Sequence, residues 1–312
     1  MNEIETEKLT KVYRGKKTPA LIDLTLSVPR GEIFGFLGPN GAGKTTTIRI
    51  LMTLLRPTTG SARVAGLDVL KNPMEAMRHV GFMPENPGFY SGLSGKQHLR
   101  YYASLYGLDR SRFDGHLNEV LQRVGLADAG IRKVKTYSLG MKRRLALAGA
   151  LLSDPELLIL DEPSLGLDPE GMAFVRSLLK ELQQDGRTVF LSSHLLGEIE
   201  KVCTRVGILH RGKLLRVDAP REISKAFGGR QAVLEVETRN MVPAVLDELR
   251  ALQGVAQVEV KDNTLRVFGA LDDDTVIEVN RKLVAKGVSI LSSRRVEPDL
   301  EAAFLALTEA KT

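Results

Sequence analysis

The chain has 312 residues, 43% hydrophobic and 26% charged, an ordinary balance for globular protein and length enough for about two buried cores. No apolar run nears the ~20 residues that cross a bilayer, and the acidic start Met1-Asn2-Glu3-Ile4-Glu5 has no signal-peptide pattern. The formal charge of +6 is uneven, since residues 230–312 hold 11 Lys and Arg against 14 Asp and Glu; the basic residues elsewhere come in scattered pairs such as Arg143-Arg144, not in the aromatic-interleaved stripe of a nucleic-acid surface.

In chain order, residues 1–75 predict short strands punctuated by turns at Gly15, Pro29-Arg30-Gly31 and residues 57–60. Within them Gly38-Pro39-Asn40-Gly41-Ala42-Gly43-Lys44-Thr45 follows a strand-like run at 33–37 and opens a helical run at 46–55. This is a phosphate loop in the context the motif requires. Glycines let successive backbone N–H groups surround a phosphate, and the helix N-terminus adds its positive end. Lys44 reaches the β and γ oxygens and Thr45 offers its hydroxyl to Mg²⁺. Residues 38–45 and the following Thr46 are therefore expected to bind a nucleoside triphosphate.

From about residue 91 to 152 the period becomes helical. Ser94 and Gln97 form a capping-box pattern, and Leu117, Val120, Leu121 and Val124 share one helical face. Strands at 157–161 and 188–192, separated by a helix near 171–184, predict a parallel sheet. The first delivers Asp161 and Glu162 to its tip, where Asp161 suits the Mg²⁺ shell and Glu162 suits a base that polarises water. Cys203, the only cysteine, fits a reducing compartment and packing between a helix and a strand. After Phe227-Gly228-Gly229 the pattern becomes βαββαβ over 232–294, a ferredoxin-like module, with a last helix at 298–309 whose apolar face holds Leu300, Ala303, Phe304 and Leu307.

Together these motifs resemble the ATP-binding subunit of an ATP-binding-cassette (ABC) transporter. Tyr137-Ser138-Leu139-Gly140-Met141-Lys142 is similar to that family's signature, and Leu165-Gly166-Leu167-Asp168 to its dimer-contact loop. The resemblance implies an α/β P-loop NTPase cassette over 1–225, with a mixed sheet and a helical insert at about 91–152, followed by a small α+β domain over 230–312. It implies that Tyr13 stacks on adenine, that Ser138 and Gly140 close on a γ-phosphate held by the other copy, and that His194 contacts the γ-phosphate beside Glu162 and Lys44. Glu85 stands where the family usually has a glutamine near Mg²⁺, and Leu139 where it usually has glycine; with the 298–305 ending, both variants resemble cassettes of the daunorubicin- and bacitracin-resistance type.

The implied protein is an ATPase with ATP and Mg²⁺, a homodimer or a heterodimer with a similar cassette, peripheral to the cytoplasmic face of the cell membrane through separate transmembrane permease subunits, exporting drugs, antibiotics or lipid-like substrates. A soluble ABC ATPase acting on DNA or ribosomes is the alternative. It is opposed by the lack of sustained heptads in 46–137 and by the single phosphate loop. A module that binds without hydrolysing is opposed by Glu162 and His194.

Overall fold

The computed structural model describes residues 2–109, 113–227, 232–240, 242, 245–269, 271–296 and 300–309. Its first compact unit, Met1–Ala219, starts with β1 (Asn2–Lys11), β2 (Leu21–Pro29), β3 (Ile33–Leu37), α1 (Lys44–Leu51), β4 (Thr59–Val64) and β5 (Leu67–Asp68). It continues through α2 (Pro73–Arg78), β6 (Val80–Met83), α3 (Gly95–Leu105), α4 (Phe113–Arg123) and α5 (Leu139–Leu151). It closes with β7 (Leu157–Asp161), α6 (Pro169–Gln184), β8 (Thr188–Ser193), α7 (Leu196–Val202), β9 (Arg205–His210) and β10 (Lys213–Asp218).

Two sheets are found among these residues, one of four strands in the order β2-β1-β4-β5 and one of six in the order β10-β9-β3-β8-β7-β6. In the first, β2 alternates between buried and more exposed residues, and all the sheet's pairings are antiparallel. In the second, β9, β3, β8, β7 and β6 run parallel, with β10 antiparallel at one edge. Every residue of β3, β7 and β8 is buried, which is why these strands read as continuous apolar runs: a parallel sheet is covered on both faces. One apolar cluster joins the sheets, with Ile4, Leu24 and Val28 from the first, Phe34, Phe36 and Phe190 from the second, and Ile48 and Leu51 from α1. The rings of Phe34 and Phe190 stack at 5.7 Å.

The insert keeps its predicted signals. Ser94 Oγ accepts from the Gln97 N–H at 3.2 Å and Gln97 Oε1 accepts from the Ser94 N–H at 2.9 Å, a completed capping box at the start of α3. Leu117, Val120, Leu121 and Val124 are buried. The helix expected over 46–55 is instead Lys44–Leu51. It stops early because Thr53 turns left-handed, with φ 59°, and the N–H groups of Leu54 and Leu55 both return to the Arg49 carbonyl.

The second unit, Pro220–Thr312, contains α8 (Pro220–Phe227), β11 (Ala232–Thr238), α9 (Val245–Arg250), β12 (Val255–Lys261), β13 (Thr264–Gly269), α10 (Asp273–Ala285), β14 (Ile290–Val296) and α11 (Leu300–Glu309). Its strands form an antiparallel sheet in the order β12-β13-β11-β14. Leu234, Val236, Leu265 and Val267 face Leu249 of α9 and Val279 and Leu283 of α10 in a core of their own. The division falls before α8, earlier than the expected boundary at 225–230, because α8 packs on α11. Ile223 of α8 and Leu300 and Ala303 of α11 are fully buried. Pro298 and Asp299, part of the expected last helix, lie outside the described residues, as do Gly228 and Gly229.

Candidate nucleotide site

Four neighbouring parallel strands, β3, β8, β7 and β6, end on the same edge of the large sheet, and each delivers part of one cleft. That edge is where open α/β sheets hold ligands. The cleft, of about 380 Å³, is lined by Pro39, Asn40, Gly41, Gly43, Lys44, Thr45 and Thr46 after β3, Glu85 after β6, Asp161, Glu162 and Leu165 at the end of β7, and His194 after β8.

The loop after β3 is shaped by two glycines. Gly43 sits at φ 113° and caps the N-terminus of α1, where a Cβ would meet the Ala20 carbonyl oxygen at 2.6 Å. At Gly38 a Cβ would stand 2.4 Å from the Leu209 carbonyl oxygen, so only glycine lets the loop leave β3 beside β9. Lys44 is buried, and its ammonium curls back to donate to the Gly38 carbonyl at 2.6 Å. Burial pulls the Lys44 pKa down, opposed by the charges of Glu162, Asp161 and Glu85. The Tyr13 hydroxyl lies 3.1 Å from Thr46 Oγ1, and the Lys11 ammonium lies 5.6 Å from the Tyr13 ring centroid.

Asp161 and Glu162 follow four apolar strand residues and are themselves buried. The Ser192 hydroxyl donates to Asp161 Oδ1. Burial raises the Asp161 pKa against that hydrogen bond, and the nearby carboxylates of Glu85 and Glu162 add to the rise while Lys44 opposes it. Glu162 has φ 52°, a left-handed backbone rare for a residue with a side chain. Its N–H stays on the Ser192 carbonyl at 3.1 Å, while its carboxylate meets two partners: Oε1 lies 3.9 Å from the Lys44 ammonium and Oε2 lies 2.9 Å from His194 Nδ1.

Sequence reasoning did not single out Arg143. It is 6% exposed, although it comes from a pair of arginines that reads as surface charge. Its guanidinium donates to the Glu85 carbonyl at 2.6 Å. Burial lowers its pKa, opposed by the charges of Glu85 and Glu162. The signal available was the apolar run that follows: Leu145, Leu147 and Ala148 through Leu152 are all buried, so α5 is covered almost all round and a cation in its first turns has little solvent to reach.

Ser138 and Gly140 do not line this cleft. Ser138 is the N-cap of α5, its hydroxyl accepting from the Met141 N–H at 3.2 Å, and it is exposed. Leu139 is 55% exposed, and its Cδ2 lies 2.8 Å from where a Cβ on Gly166 would stand. It thus leans on the loop before α6, which Asp168 caps by accepting from the Gly171 N–H at 2.8 Å. Gly38 and Ala42 are buried behind the cleft rather than lining it.

A phosphate loop, an acidic strand end and a histidine-bearing strand between them define a P-loop nucleoside triphosphatase. Comparison with known proteins narrows the class: the ABC transporter family profile matches residues 21–165. The chain is 38% identical over 306 residues to the bacitracin transport ATP-binding protein BcrA of Bacillus licheniformis, spanning 97% of this chain and 96% of that protein. It is 35% identical over 311 residues to the daunorubicin resistance ATP-binding protein DrrA2 of Streptomyces coeruleorubidus, spanning 99% and 96%. A solved ATP-binding subunit of an ABC transporter superposes with TM-score 0.65 at 32% identity, covering 72% of this chain and 93% of that one. The chain belongs to the ABC transporter family, as an ATP-binding subunit that hydrolyses ATP. Among the described residues no helix is long and apolar enough to cross a membrane.

Proposed function

We propose that this chain is the motor of an exporter for drug, antibiotic or lipid-like substrates, working as a nucleotide-sandwich dimer at the cytoplasmic face of the cell membrane with separate permease subunits. The observation that carries it is the buried Glu162 carboxylate, held between Lys44 and His194 in the same cleft as the phosphate loop. The relatives named for bacitracin transport and for daunorubicin resistance support the substrate class. None of the features of a DNA- or ribosome-acting cassette favours the alternative.

In this reading the loop N–H groups and Lys44 hold the β- and γ-phosphates, and Tyr13 packs on the adenine. Glu162 takes a proton from water as its oxygen bonds to the γ-phosphorus, and the bond to the β,γ-bridging oxygen breaks to leave ADP. His194 holds the Glu162 carboxylate in place and meets the γ-phosphate. Mg²⁺ suits the donors present: the Thr45 hydroxyl with the Asp161 and Glu85 carboxylates supplies the few hard oxygens that Mg²⁺ combines with nucleotide phosphates. No cluster of three or more His, Cys, Asp or Glu that would form an all-protein cage occurs among the described residues. When bound, the ion offsets phosphate charge. Ser138 and Gly140 complete the site of the second copy, a role supported by the exposure of Ser138 at the start of α5 and by the place of both outside the chain's own cleft. A permease helix fits the open hollow lined by Tyr90, Leu93 and Tyr101 on the insert, where Tyr90 is 55% and Tyr101 40% exposed.

Glu162→Gln keeps the shape and removes the base. Hydrolysis should fall roughly 10²- to 10⁴-fold, and ATP should then hold a dimer in size-exclusion runs. A variant that hydrolyses at the wild-type rate and stays monomeric with ATP defeats the assignment.

A further inference from the structure

Without a metal ion, the nucleotide cleft sets several carboxylates against a negatively charged ligand. Asp161 and Glu162 are buried, and Glu85 adds a third carboxylate at the same cleft. Lys44 is the cation that the phosphate loop supplies. A metal-free triphosphate entering beside three carboxylates and one ammonium meets their repulsion, opposed by the loop N–H groups and the N-terminus of α1.

Arg143 is the second buried cation near this group. It reaches the Glu85 backbone from α5, the helix that Ser138 caps. Burying a guanidinium is costly unless charge and hydrogen bonds compensate it. Here the compensation is the Glu85 carbonyl at 2.6 Å and the charges of Glu85 and Glu162. Coulomb attraction is reciprocal, so an arginine held on the Glu85 backbone also offsets carboxylate charge there.

We propose that Arg143 is a positioning residue for ATP hydrolysis, the fixed counter-charge that lets Glu85 stand in the nucleotide cleft. It holds the loop after β6 by the backbone hydrogen bond and offsets the Glu85 carboxylate, so the triphosphate meets a cleft closer to neutrality. Glu85 and Arg143 then form one unit, and changing either alone unbalances the site. The proposal rests on the nucleotide cleft described above; wild-type binding of ATP that depends on Lys44 tests that cleft separately.

The test is a charge-compensation series on the full-length chain, read by fluorescence titration with metal-free ATP in EDTA and then by the Mg²⁺ dependence of ATPase activity. Arg143→Gln should weaken metal-free ATP binding about 10-fold, the scale of one added charge at close range in a partly screened site. Arg143→Gln combined with Glu85→Gln should return to within about 3-fold of wild type, because the same charge has been removed from both sides. Arg143→Lys keeps the charge and should bind metal-free ATP much as wild type does. In Arg143→Gln the half-saturating Mg²⁺ should shift, and the added Glu85→Gln should shift it back.

Unchanged ATP affinity in Arg143→Gln overturns the proposal. So does a loss that Glu85→Gln does not recover, since that outcome assigns Arg143 to packing alone. If Arg143→Gln does not fold, the double variant decides: recovery of folding and of ATP binding supports mutual compensation, and failure of both rejects it.

Discussion

At the scale of single residues, the site depends on side chains held by their neighbours. His194 Nδ1 sits 2.9 Å from Glu162 Oε2, the shorter of the two contacts that orient the carboxylate. His194→Ala should leave ATP affinity within a few fold while lowering the turnover rate by roughly 10²-fold, the scale of misplacing a reacting group by about an ångström. Steady-state rates beside equilibrium nucleotide titration separate the two; a large loss of affinity with turnover intact would assign His194 to binding instead. The placement of Lys44, Thr45, Asp161 and Glu162 was legible in the sequence, since a phosphate loop and an apolar strand ending in acid are local patterns tied to strand ends. Arg143 was not, because nothing in an arginine pair tells which member faces inward. That depends on what packs around α5. Nor was the left-handed backbone of Glu162 foreseeable from an acidic pair at a strand tip.

At the scale of elements, α3 buries His98 completely, and neither of its ring nitrogens finds a hydrogen-bond partner among the described residues. The ring lies edge-on to Tyr102 at 4.5 Å and tilted to Phe89 at 5.2 Å. Burial holds its pKa below the ordinary histidine value, so the folded chain keeps the ring neutral where the unfolded chain would protonate it. The sign follows: this contribution to stability is intact above about pH 6.5 and is lost as pH falls below that value toward the depressed folded pKa. His98→Leu should therefore flatten the decline of melting temperature between about pH 6.5 and 5. An identical decline in both proteins would place the acid sensitivity elsewhere. The capping box of α3 and the apolar face of α4 could be read from spacing alone. The division of the first unit's strands into two sheets could not, because the pairing of β1 with β4 and the parallel order of β3, β8 and β7 join segments far apart in sequence.

At the scale of the whole molecule, the unit boundary makes a prediction about shortened chains. A chain ending after Phe227 keeps α8 but removes α11, exposing Ile223, which is fully buried in the intact protein. A chain ending after Ala219 removes both helices together. The shorter chain should be the better behaved of the two, soluble and binding ATP within a few fold of full length, whereas the longer should aggregate on gel filtration. Equal behaviour would mean that α8 does not depend on α11. The sequence placed this break by its change of texture after Phe227, but helix partnership is a tertiary property, and α8 reads equally well as the end of one unit or the start of the next.

The backbone at Glu162 has a consequence for selection. A left-handed conformation costs a residue with a branched or long side chain about 1 kcal/mol or more, and asparagine adopts it more readily. Glu162→Asn should raise the midpoint of thermal unfolding by a degree or more while ending hydrolysis. A lowered midpoint would show that the contacts with Lys44 and His194 outweigh the strain. If the midpoint rises, a library screened only for heat resistance would discard the reaction before it discarded the fold, and thermostable variants would accumulate changes at this one codon. Any engineering of the protein for durability therefore has to be scored on turnover in the same round.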